Sequence, residues 1–206
     1  MSVCDTTAPA RGGAETRERI LTAAVELFAV QGYAGTSIRD IAEHTDLTKA
    51  ALYYHFSSKE RILDAVTEPL VAEFRTLLEQ AVETPAPTPA EMLIAMVDIL
   101  SRRMALLRTV FADPSVNRKP DHKQGEQFLE AFAQIIAPDA SAEGLLRARC
   151  ALGAAQVGVF ATVSHDPRFA GPPDRARLRR LIEGSEHLLN ESQRRLIVAA
   201  ALRALG

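Results

Sequence analysis

The stretch Ser37 to Phe56, SIRDIAEHTDLTKAALYYHF, decides the fold of this chain. Its apolar residues recur at helical spacing on both sides of a short polar interruption. The spacing predicts two short helices joined by a tight turn. That pattern is typical of a helix-turn-helix, whose second helix enters the major groove of DNA.

Each part of this stretch has a predicted structural role. Ser37 is expected to cap the first helix, with Asp40 three residues later closing a capping box. Asp46 occupies the turn, where the backbone needs a positive φ that Asp tolerates better than most residues. Thr48 is expected to cap the second helix, which the pattern places from Thr48 to about Tyr54, with Leu52 facing inward.

The remaining side chains of the second helix suit a phosphate backbone. Lys49, Tyr53, Tyr54 and His55 are predicted to face outward, and Lys59 follows in the first turn of the next helix. Lysine and tyrosine contacts of this kind position a protein on DNA without reading its sequence. The alternative is that the tyrosine pair packs in a core. The stretch between Leu47 and Lys59 contains no acidic residue, and this favours DNA binding.

Glu15 to Leu63 resembles the N-terminal domain of TetR/AcrR transcriptional regulators. The residues that carry the resemblance are Arg19-Ile20-Leu21, Ala23-Ala24, Leu27-Phe28, Gly32-Tyr33, Thr36, Ile38, Arg39-Asp40-Ile41-Ala42, Leu52-Tyr53-Tyr54-His55-Phe56, Lys59-Glu60 and Leu63. Two positions depart from the family pattern: Asp46 stands where Gly is usual, and Ala51 where Thr or Ser is frequent.

The resemblance implies which residues contact DNA. Phosphate contacts are expected from Thr36, Ser37, Lys49, Tyr53, Tyr54 and Lys59. Base-edge contacts are expected from Arg39, Thr48, Lys49 and Ala50. The local charge is modest, because residues 1–60 contain six Lys and Arg against eight Asp and Glu. We therefore expect weak binding per domain, dependence on dimerisation, and a shallow salt dependence.

The chain as a whole is predicted to be all-α, with an N-terminal three-helix DNA-binding domain and a C-terminal helical domain for ligand binding and dimerisation. We expect a disordered tail over residues 1–13, the helix-turn-helix domain over 14–60, and the helical domain over 61–206. Further helices are predicted at about Glu15–Gln31, Ser58–Ala81, Glu91–Phe111, Gly125–Ala137, Ala142–Ser164, Asp174–Asn190 and Glu191–Leu205. Pro69 is expected to kink or split the Ser58–Ala81 helix.

Small residues recur around the Ala142–Ser164 helix. They favour either tight packing inside one subunit or packing against a second copy across a twofold axis, and we favour the second because a palindrome reader needs a closed dimer. In the resembled family the last two long helices build the dimer interface. Ala142–Ser164 and Glu191–Leu205 are their counterparts here.

The resemblance also implies an effector pocket in the C-terminal domain. Its candidate residues are large, apolar side chains, and an ordinary helical core is the alternative for each of them. They are Met96, Leu100, Met104, Phe111, Phe128, Phe132 and Phe160.

Other classes of protein find little support. The sequence contains no nucleophile, P-loop or zincin motif, and its five histidines and two cysteines form no metal-ligand pair at helical spacing, so we expect no enzyme, cofactor or metal. No apolar run reaches the length of a membrane span and no secretion signal is visible, so a cytoplasmic location is expected. The leading hypothesis is a dimeric repressor that binds a palindromic operator and is released by a small apolar effector. The alternative is a helical protein-interaction module.

Overall fold

The computed structural model describes residues 9–82, 85–111, 123–165 and 188–206, without the side chains of 9–11, 104–111 and 123–126. All regular elements in these ranges are helices, and the described ranges contain no strand, which confirms the all-α prediction. The helices are α1 Pro9–Gly35, α2 Ile38–His44, α3 Lys49–His55, α4 Lys59–Gln80, α5 Pro89–Phe111, α6 Lys123–Ile136, α7 Ala142–Ser164 and α8 Glu191–Leu205.

The first helix is longer than predicted. It begins at Pro9, so residues 9–13 are helical where the sequence predicted a disordered tail. Gly32 interrupts the helical backbone with φ 75° and ψ 162°, a conformation that glycine adopts without steric cost. The break at Gly32 agrees with the predicted end of this helix. Residues 1–8, and 174–187 of the predicted Asp174–Asn190 helix, lie outside the described residues.

The apolar side chains form two separate cores. The first joins α1 to α4 and includes Ile20, Phe28, Ile41, Leu52, Phe56 and Val66. The second joins α4 to α8 and includes Leu70, Leu77, Met92, Met96, Phe132, Val159 and Ala201. The first core extends past residue 60, where the sequence placed the domain boundary, because Ile62, Leu63 and Val66 all belong to it.

The fourth helix connects the two cores. Pro69 lies between Val66, which packs in the first core, and Leu70, which packs in the second. The helix runs through Pro69 without being split, so that part of the prediction is wrong. Proline removes one backbone donor and crowds the preceding turn, but apolar packing on both sides of Pro69 holds the helix together.

The C-terminal domain is layered around α7. This helix packs against α5, α6 and α8, and α8 also packs against α5. Its buried side consists mostly of small residues, Ala148, Ala151 and Ala155, which allow neighbouring backbones to approach closely. At Gly158 a Cβ atom would stand 3.0 Å from the Ile197 side chain of α8, so a larger residue there would require Ile197 to shift by a few tenths of an ångström.

Membrane spans and metal clusters are both absent from the described ranges. None of the helices there combines the length and apolar character that a bilayer crossing needs. In the same part of the chain, no three His, Cys, Asp or Glu side chains are close enough together to hold a metal ion.

Candidate nucleic-acid interface

Helix α2 is capped as the sequence predicted. Ser37 Oγ accepts a hydrogen bond from the Asp40 N–H at 3.2 Å, and Asp40 Oδ2 accepts from the Ser37 N–H at 2.8 Å. Hydrogen bonds that the Asp40 carboxylate accepts from the Ser37 backbone and side chain lower the pKa of Asp40 below its ordinary value. The reciprocal pair satisfies donors that a helix start otherwise leaves open, and it fixes where α2 begins.

Helix α1 contacts the C-terminal end of α2 through two polar side chains. Arg19 Nη2 donates to the carbonyl oxygen of Thr45 at 2.7 Å. One residue earlier, His44 Nε2 lies 2.5 Å from Glu26 Oε2. Both contacts tie the C-terminal end of α2 to α1, so the turn that follows starts from a fixed position.

The turn itself places the third helix. Asp46 has φ 54°, the predicted left-handed conformation, and the Leu47 N–H donates to the Ala42 carbonyl at 2.9 Å. Thr48 Oγ1 then accepts from the Ala51 N–H at 3.1 Å and caps α3, as predicted. The helix begins one residue later than expected, at Lys49.

One side of α3 is buried and the opposite side is exposed. Leu52 is fully buried, whereas Tyr54 is 87% exposed and Tyr53 is 52% exposed. Lys49, Ala50 and Thr48 are exposed beside them. The ring of His55 is half-buried and meets Tyr54 edge-on, with 5.3 Å between ring centroids.

The exposed side of α3 has the chemistry of a phosphate-binding surface. Tyrosine hydroxyls donate hydrogen bonds, and Lys49 adds a mobile positive charge. Large aromatic side chains are rarely left in water without a function, and two adjacent ones on a seven-residue helix form a candidate binding surface. We call the side chains of Thr48, Lys49, Ala50, Tyr53 and Tyr54 the α3 face.

Arg39 is exposed but forms an ion pair with Glu43. Its Nε donates to Glu43 Oε1 at 2.6 Å across one turn of α2. This hydrogen bond, reinforced by the charge of Glu43, raises the pKa of Arg39 above its ordinary value. A base-edge contact by Arg39 therefore requires the guanidinium to leave Glu43. The spacing of four residues between the two was a visible signal for this pair that the sequence interpretation did not use.

Two residues predicted to contact phosphate are held inside the domain. Thr36 is 1% exposed, and its hydroxyl donates to the Gly32 carbonyl at 2.8 Å. Lys59 Nζ donates to the carbonyl oxygens of Tyr33 and Thr36, at 2.7 Å each. The burial of Thr36 corrects its predicted role. The ammonium group of Lys59 is directed at backbone carbonyls of the α1–α2 connection.

Tyr33 completes this arrangement. Its ring is buried, its centroid lies 4.2 Å from Lys59 Nζ, and its hydroxyl donates to Glu60 Oε1 at 3.0 Å. We call Tyr33, Lys59 and Glu60, with the carbonyls that Lys59 reaches, the α4 lock. It joins the start of α4 to the segment that precedes α2. The sequence interpretation missed it because side-chain-to-carbonyl bonds across 23 and 26 residues leave no local pattern.

The predicted effector residues occupy different environments. Met96, Leu100 and Phe132 are buried in the second core, and Phe128 is half-buried and stacked on Phe74 with centroids 6.3 Å apart. Phe160 is 50% exposed on the outer side of α7 and does not belong to this group. Its neighbour Val159 takes the inward position, so Phe160 lies away from the buried candidates. The side chains of Met104 and Phe111 lie outside the described residues.

Known proteins resemble the chain in the region of this interface. Residues 20–66 match the family described as bacterial regulatory proteins, tetR family. The HTH-type transcriptional regulator YerO of Bacillus subtilis (strain 168) is 43% identical over 54 residues, which are 26% of this chain and 19% of that protein. IcaR of Staphylococcus aureus (strain Newman), the HTH-type negative transcriptional regulator of the biofilm operon icaADBC, is 44% identical over 48 residues, 23% of this chain and 26% of that protein.

The fold is shared over a greater length. A TetR/AcrR-family transcriptional regulator from Aquifex aeolicus VF5 superposes with a TM-score of 0.57 at 24% identity, covering 82% of this chain and 97% of that one. The matched stretches span only about a fifth to a quarter of the two curated relatives. All three of these proteins are named as transcriptional regulators. Residues 20–66 therefore match the tetR family of bacterial regulatory proteins, and the described chain around them shares the fold of the Aquifex aeolicus regulator.

Proposed function

We propose that this protein is a dimeric transcriptional repressor that binds a palindromic operator through the α3 face and is released by a small molecule. The observation that carries the proposal is the exposure of Tyr53 and Tyr54 beside Lys49 on α3. The position of α3 is set by its N-terminal cap, by the turn before it and by its buried side. Regulators of this kind act where the chromosome is, so we place the protein in the cytoplasm.

The contacts with DNA divide into two sets. Lys49, Tyr53 and Tyr54 are proposed to bind phosphates, with Ser37 at the start of α2. Thr48, Ala50 and Arg39 are proposed to meet base edges, Arg39 after leaving Glu43. With so few cations, a dimer should neutralise about two to four phosphates, which corresponds to a log–log salt slope of roughly −2 to −4.

The outer side of α7 supports the proposed dimer. Leu146, Val157 and Phe160 are at least half exposed and recur at helical spacing with Gly153 between them. Leu196 of α8, which packs on α7, is exposed as well. Burying this apolar side against a second copy across a twofold axis removes it from water and places two α3 faces on the same operator. The small residues of α7 do not all serve the proposed dimer, because Ala148, Ala151 and Ala155 pack within the subunit.

The proposed effector acts on the second core. Met96, Leu100 and Phe132 are packed together there, and α4 contributes Leu70 and Leu77 to the same core. A ligand that enters among these side chains must shift their packing, and α4 transmits that shift to the DNA-binding domain. The ligand then favours a state in which the two α3 faces have the wrong separation.

Fluorescence anisotropy with labelled DNA tests this function. Fragments from upstream of the gene for this protein and its neighbours are titrated at low and moderate salt, with unlabelled competitor. We expect saturable binding to one short palindromic segment that resists competitor. Equal, weak binding to every fragment that disappears at moderate salt would contradict the proposal and favour a protein-interaction module.

A further inference from the structure

An ion cluster joins α4 to α5. Glu73 Oε2 accepts a hydrogen bond from Arg102 Nη2 at 2.8 Å, and Glu73 Oε1 accepts from Arg103 Nε at 2.9 Å and Nη2 at 2.6 Å. Two consecutive arginines of α5 thus share the carboxylate of one α4 residue. The Arg103 side chain is only 9% exposed, and that of Glu73 is 26% exposed.

This cluster borders the core where the effector is proposed to act. Phe74, the neighbour of Glu73, lies 6.3 Å from Phe128 and 6.0 Å from Phe132, measured between ring centroids. On α5, Leu100 and Met96 lie one and two turns before Arg103 on the same side of the helix. The arginine pair is therefore a polar end to an apolar region.

Movement of α4 relative to α5 is opposed by this cluster. If α4 shifts, Glu73 is withdrawn from a guanidinium group that is nearly inaccessible to water. A nearly buried guanidinium group that loses this carboxylate loses two charge-assisted hydrogen bonds, whereas an exchanged carboxylate restores them. An effector that displaces α4 is therefore favoured when it brings its own anion.

We propose that Arg102 and Arg103 form a carboxylate site that Glu73 occupies in the operator-binding state, and that the effector is an organic carboxylate with an apolar body that replaces Glu73. The carboxylate takes the paired donors of the two arginines, a geometry that guanidinium groups favour. The apolar body lies among Phe74, Phe128 and Met96. The inference rests on the proposed function, to which it adds the chemical class of the ligand and the ion pair that the ligand breaks.

Chemical rescue of Glu73→Ala tests the site without DNA. The melting temperature of the full chain is measured in sodium propionate and in sodium chloride at equal ionic strength. We expect the substitution to lower the melting temperature by about 5 °C or more, and propionate to restore about 3 °C of it. Wild type and Glu68→Ala are the controls, because Glu68 is an exposed α4 carboxylate near Arg75. An equal effect of propionate on all three proteins would overturn the carboxylate site.

Operator binding by the same variant tests the coupling. Glu73→Ala should bind the operator at least about tenfold more weakly than wild type, and propionate should restore its stability without restoring its affinity. Unchanged affinity, or recovery of affinity with propionate, would overturn the exchange mechanism. If the proposed function itself is wrong, wild type does not bind any operator, and this result is distinct from the two above. If Glu73→Ala does not fold, Glu73→Ser, which also leaves the place of the carboxylate open to propionate, serves for the same measurements.

Discussion

Replacing Lys59 with methionine separates two roles for this residue. The family resemblance predicts a phosphate contact, whereas the structure directs the ammonium group at the carbonyls of Tyr33 and Thr36 and over the ring of Tyr33. Methionine retains the apolar stem of the side chain and removes its charge. A structural role predicts loss of stability, and a phosphate contact predicts loss of electrostatic DNA affinity.

The structure gives the size of the expected effect. A hydrogen bond to a charged group contributes about 1.5–3 kcal/mol, and a cation–π contact about 0.5–1 kcal/mol. Lys59 makes two such bonds and one such contact in a half-buried position, so we use the lower end for each. Lys59→Met should therefore reduce the free energy of unfolding by about 3–4 kcal/mol.

The assay is urea unfolding at fixed protein concentration, together with operator titrations at several salt concentrations. Lys49→Met is the matched control, because Lys49 is an exposed cation on α3. That control should unfold like wild type and reduce the salt slope by about 0.9 for each phosphate that is no longer neutralised, or about two for a dimer. Lys59→Met should show the opposite pattern, with reduced stability and an unchanged slope. If Lys59→Met unfolds like wild type and has a shallower salt slope, the α4 lock is refuted.

Four further predictions concern other parts of the chain. Phe160→Glu should convert the dimer to monomer in sedimentation analysis, whereas Val30→Glu, an equally drastic change at an exposed residue of α1, should leave it dimeric. Asp46→Gly should raise the free energy of unfolding by about 0.5–1 kcal/mol in urea titrations, because glycine adopts φ 54° without strain. Glu43→Gln should strengthen operator binding about two- to fivefold in anisotropy titrations, because it frees an arginine and removes a negative charge from the DNA side. Burial of Glu73 raises its pKa, but the hydrogen bonds from its two arginines outweigh burial and hold the pKa below the ordinary value. Its stabilising contribution is therefore complete at neutral pH and lost as pH falls through the lowered pKa, so wild type and Glu73→Gln should differ in stability near pH 7 and converge as pH falls through that lowered pKa.

The sequence predicted the local features well, because their causes are local. Ser37 and Thr48 cap the helices they were expected to cap, and Asp46 has the expected positive φ. α7 and α8 have the predicted bounds, since polar caps and an apolar periodicity define both ends. Leu52 is buried and the two tyrosines beside it are exposed, as three-to-four-residue spacing required.

The errors and omissions have long-range causes. The sequence could not show that Lys59 reaches carbonyls more than twenty residues away, or that Glu73 meets two arginines of the next helix. Phe160 was grouped with the candidate effector residues because its side chain is large and apolar. The side of α7 that faces inward is decided by the helices α5, α6 and α8, which pack against its small residues. Pro69 did not split α4, because packing in two cores outweighs the absence of one backbone hydrogen bond.

The most direct test of the account is operator titration by a protein with Tyr54→Ala and Lys49→Ala, compared with wild type and with Arg75→Ala as a matched exposed cation on α4. Both substitutions of the double variant remove exposed side chains, so its folding and dimerisation should match wild type. The account predicts that the double variant loses specific operator binding while Arg75→Ala retains it. Wild-type affinity in a folded, dimeric double variant would contradict the claim that the α3 face binds DNA.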